Sequence, residues 1–196
     1  MKYLRLPVGS YQANCCLVFD EQKNAVVIDP GDEAPRILRV IQEHSLHVKV
    51  ILLTHAHFDH ILAVTAIQEA TDTPLWVHEA EEPALADTRL SMVSFPYTLT
   101  ADRLLHDGES VTVDELSFTV LHTPGHTAGS VCYRCENTLF SGDTLFAGGM
   151  GRTDFPGGSS RLLWNSLEKL SHLPPHLTVV AGHGEETTIG REFGTR

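Results

Sequence analysis

One stretch constrains this chain more than any other. Thr54-His55-Ala56-His57-Phe58-Asp59-His60 packs three imidazoles and a carboxylate into six consecutive positions. Just before it, Val48-Lys49-Val50-Ile51-Leu52-Leu53 is a short, apolar, β-branched run that predicts a buried strand. Just after it, Ile61 to Ile67 reads as the start of a helix. The cluster is therefore expected on a strand-to-helix loop beyond the carboxyl end of a strand, where open α/β sheets carry their ligand sites. Neutral imidazole ligates zinc and other borderline metals, and carboxylate can complete a site. His55 and His57, two apart, can reach toward one side of the turn, while Asp59 and His60 point elsewhere. The spacing suggests two ions sharing one loop.

The rest of the chain supplies elements for such a sheet. Leu4–Val8, Cys15–Phe19 and Ala25–Ile28 read as strands, the last ending in the turn signal Asp29-Pro30-Gly31. Ala34–His44 carries Ile37, Leu38, Val40 and Ile41 at helical spacing. The helix after His60 is expected to run to about Ala70. Leu75–His78 is a further strand, Glu79–Ala86 a candidate helix, and Ser91–Asp107 a long surface loop. Ser110–Leu121 predicts a hairpin turning at Asp114-Glu115, and Ser130–Arg134 with Asn137–Ser141 a second strand pair. A glycine-rich loop over 148–158 precedes an amphipathic helix over Leu162–Leu173, and Thr178–Ala181 is expected to be the last strand. Two sheets face to face with helices outside accommodate this order.

Composition sets limits. A chain of 196 residues, 42% apolar and 20% charged, suits one domain with a sizeable core. The net charge of −11 with no basic run disfavours a phosphate-backbone partner, so no nucleic acid is expected. Neither a signal peptide nor a membrane span is read at the N-terminus, which makes a cytoplasmic protein the expectation. Four cysteines do not make a disulfide scaffold.

Three later loops each follow a predicted strand and carry a candidate ligand: His126 in His122-Thr123-Pro124-Gly125-His126-Thr127-Ala128-Gly129-Ser130, Asp143 in Ser141-Gly142-Asp143-Thr144, and His183 in Ala181-Gly182-His183-Gly184. Taken in order with His-x-His-x-Asp-His, these motifs resemble the metallo-β-lactamase superfamily over nearly the whole chain. Gly151-Arg152-Thr153-Asp154-Phe155-Pro156-Gly157-Gly158 and the ending Gly182 to Gly190 resemble its short glyoxalase II-like hydrolases most. The resemblance implies a single domain over 1–196, an αββα sandwich of two mixed β-sheets with outer helices, and a site at the sheets' edge. It implies that one ion binds His55, His57 and His126, that a second binds Asp59, His60 and His183, and that Asp143 bridges them. Asp59 and Asp143 are then the catalytic carboxylates, and Asp29 orients a ligand imidazole from behind. The implied cofactor is two divalent ions, zinc foremost, with iron or manganese as alternatives. Between them they would hold a hydroxide that attacks a carbonyl without a serine or cysteine nucleophile.

The implied reaction is hydrolysis of a small-molecule thioester, S-lactoylglutathione or a similar acyl-glutathione. The long glyoxalase II carries a C-terminal helical domain that helps hold glutathione, and this sequence has no counterpart of it. Arg152 is the candidate anion contact, with Arg191 and Arg196 as alternatives. Gly-Arg-Thr-Asp-Phe also occurs in related persulfide dioxygenases. Those use one non-haem iron, here on His55, His126 and Asp143. A non-catalytic metal-binding domain is a third reading. A true β-lactamase would carry an export signal.

Cys132-x-x-Cys135 is a single pair on predicted strands and reads as packing, and one of Cys15 and Cys16 is expected to be buried. His78 and His122 read as structural hydrogen-bonding partners, and His44, His47, His106, His172 and His176 as surface residues. Trp76 and Trp164 read as core. Phe155 reads as packing, with lining of the substrate pocket as the alternative.

Overall fold

In the computed structural model, which describes residues 1–194, the strands form two six-stranded sheets. The first runs, in spatial order, β1 (Lys2–Val8), β2 (Ala13–Phe19), β3 (Asn24–Ile28), β4 (His47–Leu52), β5 (Leu75–His78) and β6 (Arg103–Leu105). It begins antiparallel and becomes parallel from β3 onward. The second sheet contains β7 (Ser110–Val113), β8 (Leu116–His122), β9 (Val131–Cys135), β10 (Thr138–Gly142), β13 (Thr178–Ala181) and β14 (Thr187–Thr188). It is antiparallel except for the β10–β13 pair. A two-stranded ribbon of β11 (Leu145–Phe146) and β12 (Gly149–Met150) stands apart.

Successive strand residues face opposite sides of a sheet, and here both sides are covered. On β2, Cys15, Leu17 and Phe19 join one core while Cys16 and Val18 join another. The first of these cores lies between sheet one and the helices α1 (Ala34–Glu43) and α3 (Val64–Thr71). The second fills the space between the sheets, with Val26, Ile28, Val50 and Leu52 meeting Phe118, Val120, Tyr133 and Phe140. A third lies under α5 (Ser160–Ser171) and α6 (Ile189–Phe193), built on Cys132, Leu139, Val179, Leu163 and Leu170. This is the expected αββα sandwich. Two-sided burial explains why the strands read as continuous apolar runs instead of alternating ones. It also corrects one expectation: Cys15 and Cys16 are both buried, because each face has a core to enter. All four cysteines are free.

The helix expected to run on from His60 is broken. A four-residue helix, α2 (Phe58–Ile61), stops at Leu62, and α3 restarts at Val64. The Leu62 and Ala63 N–H groups donate to the Gly31 and Pro30 carbonyls instead of continuing the helical ladder. The Ser91–Asp107 loop is not purely superficial. Val93 and Leu99 are buried, and Arg103–Leu105 adds β6 beside β5. Thr178–Ala181 is not the last strand, since β14 follows it. Glu79–Leu85 is a 3₁₀ helix, followed by α4 (Thr88–Ser91). Trp164 is 61% exposed, because α5 buries Leu163, Ser166, Leu167 and Leu170 and leaves the next position outside. Trp76 is half-buried, with the Arg103 guanidinium stacked 4.7 Å over its ring. His44, His47, His106, His172 and His176 are exposed as expected. Among the described residues no helix is long and apolar enough to cross a membrane.

The sheets converge at one end. Asn14 N–H donates to the Gly182 carbonyl, Val131 N–H to the Thr54 carbonyl, and the buried Tyr133 hydroxyl to the Leu53 carbonyl. The first ties the start of β2 to the second sheet, and the other two tie to it the carboxyl end of β4, where the histidine loop begins.

Candidate metal centre

At that end the fold gathers the predicted ligands from four loops. His55 and His57 follow β4, and Asp59 and His60 lie in α2. His126 comes from the β8–β9 loop, Asp143 follows β10 and His183 follows β13. His55, His57 and His126 form one group, and Asp59, His60 and His183 another; within each, the potential ligand atoms lie within 4.8 Å of one another. Asp143 stands between the groups. One of its carboxylate oxygens is 3.5 Å from His126 Nε2 and 3.6 Å from His183 Nε2, and the other is 3.5 Å from His60 Nε2.

Hydrogen bonds behind the rings fix their tautomers. Asp29 accepts from Thr54 N–H at 2.7 Å, Thr54 Oγ1 at 2.6 Å and His60 Nδ1 at 3.0 Å. Because the Thr54 hydroxyl gives its proton to Asp29, His55 Nδ1 at 3.0 Å must donate to that hydroxyl. His126 Nδ1 donates to the Arg152 carbonyl at 2.8 Å, and His183 Nδ1 to the Tyr11 carbonyl at 3.0 Å. Four rings thus carry a proton on Nδ1 and turn Nε2 inward. Nε2 of His55, His57 and His126, together with Asp143 Oδ1, are buried without any partner. Buried polar atoms without partners are rare, and a set of converging lone pairs is what a cation requires. The residues fit a metal.

The two groups differ electrostatically. Burial, then neighbouring imidazoles, pushes His55 well below the usual histidine range and His57 down to about 3. Burial also lowers His126, against the pull of Asp143. For His60 burial acts downward too, but Asp143 and Asp29 outweigh it and lift the ring to about 9. His183 is raised as well, its hydrogen bond to Asp59 and the charge of Asp143 overcoming burial. Asp59 sits at about 2: burial opposes, but His183 and His60 hold its carboxylate ionised.

Backbone must come close to admit this packing. A Cβ at Gly182 would run into Asp143 Oδ1 and lie 2.9 Å from His60 Cε1.

The cluster floors a cleft of about 520 Å³. Its walls are Tyr11, Phe58, Met92, Phe146 and Phe155, with Arg152 at the side. Phe155 therefore lines the cleft, its ring 5.6 Å from that of His57. The Arg152 guanidinium stacks 4.3 Å over Phe155 and pairs with Asp154 at 2.7 and 2.9 Å. Arg191 is exposed in α6 and does not line the cleft, and Arg196 lies outside the described residues. His78 and His122 stack on each other at 4.1 Å away from the centre, in the structural role expected. Sequence reasoning missed Tyr11, Met92, Phe146 and the buried Glu81. Glu81 bonds three groups in the ligand loops, all of them 25 or more positions away. No local pattern could have flagged it.

A two-sheet sandwich carrying a His/Asp cluster at its converging edge defines a class of metal-dependent enzymes. The sequence profile of the metallo-beta-lactamase superfamily matches residues 8–183, and the chain belongs to that superfamily, in its glyoxalase II-like branch. It is 37% identical over 196 residues to the hydroxyacylglutathione hydrolase GloC of Haemophilus influenzae, covering 95% of this chain and 92% of that protein. Among solved structures it is similar to BLEG-1 B3 metallo-beta-lactamase, with a TM-score of 0.93, 39% identity and 99% and 97% of the two chains covered. It is similar also to TTHA1623 in a di-iron-bound form, with a TM-score of 0.85, 38% identity and 96% of each chain covered. ETHE1 from Myxococcus xanthus aligns with a TM-score of 0.83 at 31% identity over 98% of this chain and 83% of that one.

Proposed function

We propose that this chain, working as one domain, hydrolyses thioesters, with S-lactoylglutathione or a similar acyl-glutathione as substrate. One divalent ion would be held by His55, His57 and His126, a second by Asp59, His60 and His183, with Asp143 shared. The observation that carries this reading is the position of Asp143, within 3.6 Å of imidazole nitrogens from both groups. Ions bound there supply a water that ionises near neutral pH and a Lewis-acid grip on a carbonyl oxygen.

The chain's own residues do the rest. Nδ1 donation to Thr54, Asp29, Arg152 and Tyr11 keeps four rings in one tautomer and orientation. Tyr11, Phe58, Met92, Phe146 and Phe155 offer an apolar wall that excludes water from the acyl side. Among the described residues Arg152 is the cation lining the cleft outside the histidine cluster, and it would receive an anionic end of the substrate. Among the described residues no serine, cysteine or lysine lines the cleft, which supports a water nucleophile. The name of the Haemophilus relative supports the glutathione thioester.

A second reading is a mononuclear iron dioxygenase acting on a persulfide, with His55, His126 and Asp143 as the iron-binding face. Gly151–Phe155 and the likeness to ETHE1 favour it. The test is metal analysis of the purified protein alongside three assays: S-lactoylglutathione hydrolysis, oxygen uptake with glutathione persulfide, and opening of a β-lactam, since BLEG-1 is a B3 β-lactamase by name. About two ions per chain with thioester cleavage is the expected result. One iron with oxygen uptake would replace this reading with the second.

A further inference from the structure

Glu81 is 2% exposed, and glutamates are almost never buried so deeply unless paired. Among the described residues no cation pairs with it. Its partners are three donors. Oε1 accepts from Ala56 N–H at 2.8 Å, and Oε2 accepts from Thr127 Oγ1 at 2.7 Å and from Gly129 N–H at 2.9 Å. Ala56 separates His55 from His57, and Thr127 follows His126. The three imidazoles of one group are thus the chain neighbours of the groups that a single carboxylate holds. One of these loops hangs from the first sheet and the other from the second, while Glu81 itself belongs to the 3₁₀ helix after β5. The fit is close, since a Cβ at Gly129 would collide with the Glu81 backbone.

Among the described residues no such bond reaches the other group. Its second-layer partners are Asp29 behind His60 and the Tyr11 carbonyl behind His183. The acceptor must also be a carboxylate. A glutamine in its place would turn an NH₂ group against either Ala56 N–H or Gly129 N–H, donor against donor.

We propose that Glu81 is the positioning residue of the His55–His57–His126 site. It fixes the separation of the two ligand loops and so sets metal affinity at that site without setting it at Asp59–His60–His183. This rests on the metal-centre reading above.

The test uses the full chain, stripped of metal and titrated with zinc against a chromophoric chelator, then with cobalt(II) to read ligand geometry from its visible absorption. Glu81→Gln is expected to weaken one of two zinc sites by about tenfold or more, to alter the cobalt band of that site, and to leave the other affinity within about twofold. In an Asp59→Ala background, where the imidazole site alone holds an ion, the loss must persist. Thr127→Val, which keeps the side-chain shape and removes one donor, is expected to shift the same site in the same direction by less. It carries the test should Glu81→Gln fail to fold. Equal weakening of both sites would overturn the proposal. So would unchanged affinities and cobalt spectrum with only a lowered melting temperature, which would leave Glu81 as a brace for the fold. Wild-type protein that binds no zinc would remove the metal centre itself, and this inference with it.

Discussion

His55, His57 and His126 sit beside Asp59, His60 and His183 across one shared carboxylate, yet their surroundings differ in kind. The first group is all imidazole, and two of its rings are braced by a hydroxyl and a carbonyl. Burial strips its protons, leaving His57 at about 3. The second group is faced by Asp29, Asp59 and Asp143, which lift His60 to about 9 and raise His183. At neutral pH the metal-free chain therefore keeps the first group as bare lone pairs, while in the second His60 holds its proton against carboxylates. The same residue types make a site poised for an ion and a site where protons stand in for one.

Removing what the groups share should have the largest effect. Asp143→Ala is expected to disturb both ions and to lower the proposed thioesterase activity by about 10³-fold or more, since metal ions contribute several kcal/mol of transition-state stabilisation. Steady-state kinetics with metal analysis would show it, and retention of two tightly bound ions would break the comparison. Asp59→Ala should cost about 10²-fold in activity and leave one ion per chain, held by the imidazole group. Full activity with a single ion would end the two-ion reading.

Proton counting sharpens the contrast. A ligand must be deprotonated to bind metal. Occupying the first group at pH 7 should release few protons, because burial holds all three rings below the usual histidine range. Occupying the second must expel the proton of His60, so its affinity should rise with pH until about 9 and then level. Titration calorimetry in buffers of different ionisation enthalpy separates the two steps. The sign for folding follows: because the His60 pKa is raised, its proton stabilises the metal-free fold fully below about 6.5. That contribution is lost as pH rises toward 9 and is absent from metal-loaded protein.

Smaller effects lie outside the ligands. Tyr133→Phe leaves the Leu53 carbonyl, just ahead of the histidine loop, without its donor. It should cost about 1–3 kcal/mol in chemical denaturation while leaving metal stoichiometry at two. Arg152→Ala should raise KM for an anionic thioester by about two- to fivefold, as expected for an exposed charge, and leave a neutral thioester unchanged. Equal effects on both would remove its anchoring role.

The candidate site was legible because its ligands are side chains of rare type in tight motifs. The sheets were legible because burial on two faces leaves long apolar runs such as Cys15–Phe19. What escaped depends on main chain or on distance. The three residues of β6 and the two of β14 are too short to show a period. The break between α2 and α3 comes with bonds to the Pro30 and Gly31 carbonyls, more than thirty positions upstream. Trp164 looked like core by its chemistry and is exposed by its phase on α5. Glu81 is invisible in sequence because every group it holds is distant, and two of the three belong to the backbone.

The missing side chain at Gly182 has its own consequence. The space between Asp143 and His60 exists because a hydrogen stands there where any other residue would carry a carbon. A saturation library scored for activity should therefore find position 182 as intolerant as the ligands, although it donates nothing to an ion. Redesign aimed at a different metal radius would do better to move the loop that bears this residue than to exchange a histidine.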